Sequence, residues 1–120
     1  MIKGIHSTII WTDDLGRLAG FYRETLGLTQ QMDTPEFIVF AAEQGAQLCL
    51  GKHSEVSGKS REPNRVMIDL TVDDCQAEYD RLKGKGVPFV RPPNKDEGDG
   101  LIIATFQDPD GNTLQLFQTP

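Results

Sequence analysis

The sequence predicts an α+β fold made of two βαβββ modules that form a curved mixed sheet around a cleft, with the helices outside. Three observations predict it. Residues 7–26 (STIIWTDDLGRLAGFYRETL) and 67–85 (MIDLTVDDCQAEYDRLKGK) each run strand, Asp-Asp, amphipathic helix, glycine. Each copy ends in a matched segment, GAQLCL at 45–50 and GNTLQL at 111–116. The strand-like segments cluster after each helix instead of alternating with helices, which argues against a doubly wound parallel sheet. Two copies of one unit usually face each other, so their meeting place is the expected cleft.

Taken in order, residues 5–12 (IHSTIIWT) are β-branched and aromatic and predict a strand. Asp13 and Asp14 then supply the cap and the negative charge that a helix start favours. Leu15, Leu18, Tyr22 and Leu26 fall on one face of a 3.6-residue period, with Phe21 beside Leu18. Gly16 and Gly20 weaken this helix, so it depends on packing, and Gly27 closes it. Short strands are predicted at 28–33, 36–42 and 46–51, giving a first module over about 5–51. Residues 52–64 (KHSEVSGKSREPN) are polar, carry Gly58 and Pro63, and predict a linker in which His53 is solvated.

The second module, 65–118, repeats the order. A strand at 65–72 precedes a helix from Asp74 to about Lys85, with Cys75, Tyr79 and Leu82 as its buried stripe. Strands at 87–91, 101–107 and 112–118 complete it. The acidic segment 92–100 (PPNKDEGDG) predicts a solvated loop of the kind that borders sites and acts as a lid. DPDG at 108–111 predicts a turn in which aspartate accepts backbone bonds and glycine takes positive φ.

Composition excludes several classes of function. At 120 residues the chain is one domain by length, with 38% hydrophobic and 25% charged residues, as soluble globular proteins have. No apolar run approaches a membrane span, and MIKGIHS lacks a signal-peptide apolar segment, so a cytoplasmic protein without a membrane partner is expected. Cys49 and Cys75 show no CxxC spacing, which suits a reducing compartment. A formal charge of −6, with Lys52, Lys59, Arg61 and Arg65 diluted by Glu55 and Glu62, argues against nucleic acid as a partner. No GxSxG, Walker or Rossmann glycine pattern is present.

The segments TDDLGRLAGFYRETLGL (12–28), VDDCQAEYDRLKGKGVPF (72–89) and FQDPDGNTLQLF (106–117), in this order and spacing, resemble the vicinal oxygen chelate superfamily. That group includes glyoxalase I, extradiol dioxygenases and the fosfomycin- and bleomycin-resistance proteins. The resemblance implies the glyoxalase/bleomycin resistance fold over the whole chain, a small-molecule ligand and a homodimer. It also implies four metal-ligand positions, one on the first and one on the last strand of each module. They fall on Ser7, Cys49, Met67 and Gln115, where metal-binding relatives generally have His or Glu.

Hydroxyl, thioether and neutral amide are weak donors for a catalytic divalent ion, and a single thiolate does not make a site. No metal or other cofactor is therefore expected. A shifted site recruiting His6 and Cys49 is the fallback, but strand alternation points His6 to the helix side, packed or hydrogen-bonded there. With Ser7 facing the cleft, Ile9 and Trp11 face it too, opposite Met67, Asp69 and Thr71. Trp11 either stacks on a planar ligand or fills the core. Asp69 either pairs with a Lys or Arg, which is the favoured reading, or meets a cationic ligand group or water. Met67 is an adaptable packing residue and Cys49 an inert buried thiol.

The ligand-binding set is thus Ser7, Ile9, Trp11, Cys49, Met67, Asp69 and Gln115, with no catalytic residue. The function expected first is ligand sequestration of the bleomycin-resistance type, with antibiotic resistance as its model. The alternative is a metal-dependent glyoxalase-like lyase, isomerase or dioxygenase with a shifted site. A protein-binding accessory domain is the third, without a specific signal.

Overall fold

Asp14 and Asp74 start the two helices. Each stands outside the helical conformation and accepts a hydrogen bond from a backbone amide three residues on, Arg17 N–H and Ala77 N–H. Such caps satisfy donors that have no partner within the helix. The structure, a computed structural model, describes residues Met1–Pro120. They form two units, Met1–Gly58 and Lys59–Pro120.

In the first unit β1 (Ser7–Thr12) leads into α1 (Leu15–Gly20), a π-helical turn (Phe21–Thr25), β2 (Gln30–Asp33), β3 (Phe37–Phe40) and β4 (Gln47–Lys52). The sheet order is β1-β4-β3-β2, with β1 parallel to β4 and the other pairs antiparallel. The predicted stripe of Leu15, Leu18, Tyr22 and Leu26 is buried, with Leu18 and Tyr22 at 0% exposure. It packs with Ile10, Phe40 and Leu50 as the core of this unit. Burying a side chain of this size contributes about 1.5–3 kcal/mol, more than the glycines of α1 cost. The π turn, marked by Leu26 N–H on the Phe21 carbonyl at 3.0 Å, was not foreseen; periodicity alone does not separate it from an α turn.

The second unit repeats this plan with β5 (Ile68–Thr71), α2 (Cys75–Gly84), β6 (Phe89–Lys95), β7 (Ile102–Gln107) and β8 (Thr113–Gln118). Its sheet order is β5-β8-β7-β6, again with one parallel pair, β5 with β8. Cys75, Leu82, Ala104, Phe106, Leu114 and Leu116 form its core. Tyr79 meets Phe89 edge-on, with centroids 4.6 Å apart. The α+β class and the helix-plus-four-strand module are therefore as the sequence predicts, with the eight strands divided into two four-stranded sheets.

One segment of the second unit differs from expectation. β6 continues through Pro92 and Pro93 to Lys95, where a loop was predicted; it is the terminal strand of its sheet, and its register shifts between Arg91 and Asn94. Proline is tolerated at such an edge, where no neighbour needs its missing N–H. The acidic residues Asp96, Glu97 and Asp99 are exposed, as the predicted solvated loop requires, and they form a tight turn. Asp96 Oδ1 accepts Gly98 N–H at 2.7 Å and Asp99 N–H at 3.2 Å, and Asp99 Oδ1 accepts Leu101 N–H at 3.0 Å. These carboxylates fasten the turn between β6 and β7. The DPDG turn forms as predicted, with buried Asp108 accepting Asp110 N–H and Asn112 N–H at 2.9 Å each and Gly111 at φ 78°.

Candidate functional site

Helices cover one face of each sheet. The opposite face of the first sheet carries the predicted residues of this unit together. Ser7, Ile9 and Trp11 stand beside Gln47, Cys49 and Gly51 on the parallel neighbour, and paired strand positions point to the same side. Phe37 and Val39 of β3 join them through their pairing with Gly51 and Cys49. Ile9 and Trp11 are each 40% exposed, whereas Cys49 lies beneath the surface at 4%. Gln47 donates its side-chain amide to Gln31 at 2.8 Å, a polar edge to an otherwise apolar face.

Trp11 is not core. Its indole presses against Gly51: a Cβ at position 51 would collide with Cζ3 and stand 2.6 Å from Cε3. Gly51 has no left-handed φ, so glycine is needed here for close approach and not for backbone conformation. Phe37 flanks the indole at 5.9 Å between centroids and 49° between planes. His53 meets it at 5.4 Å and 74°, an edge-to-face contact of the kind aromatic quadrupoles favour. His53 is therefore not the solvated linker residue that composition suggested. Its Nδ1 accepts Glu55 N–H at 3.1 Å, which holds the ring in place.

Sequence reasoning missed Gly51, Phe37 and His53. A glycine inside the strand QLCLGK was the one available signal, since such a glycine often marks another group pressed against the backbone.

On the second sheet Asp69 and Gln115 are register partners on one face. Gln115 donates its amide to Thr105 Oγ1 at 3.1 Å. The Asp69 carboxylate makes no hydrogen bond or ion pair, so the expected Lys or Arg partner is not there. No cationic side chain answers it, and partial desolvation raises its carboxyl above the ordinary carboxylate value. Met67 precedes β5 and is 42% exposed, so it is not the packing residue expected.

His6 departs from expectation as well. It lies ahead of β1, exposed and with no side-chain hydrogen bond, not packed on the helix side. Only its backbone carbonyl is engaged, by Gln47 N–H at 3.4 Å. Strand pairing begins one residue later, which leaves the His6 side chain beyond the covered part of the sheet.

The residues at the four ligand positions do not fit a catalytic divalent ion. Ser7 and Gln115 are neutral oxygen donors, Met67 is a soft thioether, and burial pushes the Cys49 thiol up, away from the thiolate that binds metals. No group of three or more His, Cys, Asp or Glu side chains is arranged to hold an ion, so the fallback pair His6 and Cys49 acquires no third ligand from this chain. No helix is long and apolar enough to cross a membrane.

Comparison with known proteins bears on the whole chain. The family model described as Glyoxalase/Bleomycin resistance protein/Dioxygenase superfamily matches residues 4–116. The uncharacterized Bacillus subtilis protein YurT is 32% identical over 92% of this chain and 95% of its own. A probable lactoylglutathione lyase from Synechocystis is 29% identical over 93% of this chain and 92% of its own. Among solved structures, TnmS3, an antibiotic binding protein from Streptomyces, superposes with a TM-score of 0.79 at 25% identity, covering 99% of this chain and 98% of that one.

Proposed function

The chain belongs to the Glyoxalase/Bleomycin resistance protein/Dioxygenase superfamily, and from that premise we propose that it binds a small molecule and holds it without a divalent metal and without chemical change. The observation that carries this reading is the aromatic shelf of the first sheet. Trp11 lies against Gly51, flanked by Phe37 and His53, and is 40% exposed. A rigid indole backed by the strand beneath it is suited to stacking a planar ring. Ser7, Ile9 and Cys49 extend the same face. In the second unit Asp69 and Gln115 are paired across β5 and β8, with Met67 just ahead of β5, and these are candidate contact residues in their own right.

Likeness to an antibiotic binding protein supports sequestration. Likeness to probable lactoylglutathione lyases favours a second reading, glyoxalase-like catalysis. That chemistry in a metal-dependent form needs strong donors holding an ion with open positions for substrate oxygens. Serine, a protonated thiol, a thioether and an amide are the wrong set, which places sequestration first. The proposal takes the chain as one domain of that superfamily, acting in the cytoplasm as a homodimer.

The test joins three measurements on purified protein: elemental analysis, titration of the single tryptophan's emission with planar aromatic compounds, and chromatographic recovery of the bound compound. The expected result is substoichiometric metal, saturable quenching of the native protein, unaltered compound, and loss of binding in Trp11→Ala when read by equilibrium dialysis, because that variant has no tryptophan emission to quench. Stoichiometric zinc, nickel, iron or manganese, with a turnover lost on chelation, would overturn it.

A further inference from the structure

The Trp11 shelf has a polar rim. His53 Nδ1 is occupied as an acceptor by Glu55 N–H at 3.1 Å, which places the proton of the neutral imidazole on Nε2. Nε2 has no hydrogen-bond partner, although the ring is packed against the indole at 5.4 Å. The ring is half-buried and held by two contacts, the Glu55 backbone amide and the Trp11 indole, which restrict it before any ligand arrives. Trp11 carries a donor as well, but the indole N–H lies in the plane of the ring and cannot point at a group stacked above it. Phe37 on the other flank offers no polar atom. His53 is therefore the side chain of the shelf able to read the edge of a stacked ring.

We propose that His53 is the specificity-determining residue of this site, donating from Nε2 to an acceptor on the rim of a planar aromatic ligand stacked on Trp11. The ligand class is thus a flat aromatic system with a carbonyl, ether or ring-nitrogen acceptor at its edge. A purely hydrocarbon ring would keep the stacking and leave the donor unsatisfied. The inference rests on the binding reading given above.

Fluorenone and fluorene separate the two contributions, since they share a flat tricyclic frame and differ in one acceptor oxygen. Their affinities are measured by equilibrium dialysis with the full chain, with His53→Phe, which keeps an aromatic edge against Trp11, and with His53→Gln, which restores a donor. The native protein is expected to bind fluorenone roughly five- to tenfold more tightly than fluorene, as one net hydrogen bond gives. In His53→Phe the ratio of the two affinities falls to about one, with far-UV dichroism and the thermal midpoint showing that the variant is folded, and His53→Gln recovers part of the preference. Equal affinities in the native protein, or equal loss of both ligands in His53→Phe, would overturn the assignment and leave His53 a packing residue. If neither compound binds, the shelf itself fails and the inference falls with it.

Discussion

Replacing Gly51 by alanine puts one methyl group beneath the Trp11 indole. The new Cβ would overlap Cζ3, stand 2.6 Å from Cε3, and touch Phe37 Cδ1 at 3.0 Å. Carbon atoms rest at about 3.5–4.0 Å, so the ring must lift by about 1 Å or swing off the sheet. Overpacking of this kind costs about 1–3 kcal/mol. Alanine in a strand recovers about 0.5–1 kcal/mol that glycine loses through backbone entropy. The net expectation is a loss of about 0.5–2 kcal/mol, or roughly 2–8 °C in Tm for a chain of this length. Because Trp11 is 40% exposed and is the only tryptophan, its emission should shift to the red and its near-UV dichroism weaken. Thermal unfolding and fluorescence read both effects. A variant that is more stable than the native protein, with unchanged emission, would show that the indole does not lie on Gly51 and that no such shelf exists.

Asp69 offers a pH test. Desolvation raises its pKa from 3.8, so the unfolded chain ionises first as pH rises and the native state loses stability on passing upward through this range. Asp69→Asn should therefore raise the denaturation midpoint at pH 7 and leave it unchanged below pH 3; destabilisation at pH 7 would mean that the carboxylate has a partner after all. Asp108→Ala removes the acceptor of Asp110 N–H, Asn112 N–H and the Asn112 side-chain amide. With hydrogen bonds to a charged group contributing about 1.5–3 kcal/mol each and partly replaceable by water, a loss of about 2–4 kcal/mol is expected. Urea unfolding measures it, and a change under about 1 kcal/mol would mean that the turn holds its shape without the carboxylate.

Much of the fold was legible because its signals are local. Asp14 and Asp74 cap helices, Leu15, Leu18, Tyr22 and Leu26 share one face, and Asp108 with Gly111 encodes a turn; each depends only on neighbours along the chain. What escaped depends on pairing between distant segments. Trp11 meets Gly51 only because β1 runs parallel to β4 in one register, and His53 reaches the indole only from the residue after β4 ends. Nothing near His53 in sequence distinguishes it from its polar neighbours. Asp69 was misjudged for a related reason: a carboxylate on an inward strand position was given a partner, whereas it stands on an open face where partial hydration suffices. Pro92 and Pro93 were taken as a loop because proline breaks interior strands, but at the outermost strand that rule relaxes.

Those two prolines have a bearing on self-association. An outermost strand normally offers a ladder of free amides on which a foreign strand can dock, the first step toward fibrils. β6 has adjacent rungs without N–H groups at a point where its pairing is already irregular. Another chain laid along it would find an interrupted set of donors, so this border of the sheet is a poor template for growth into a longer array.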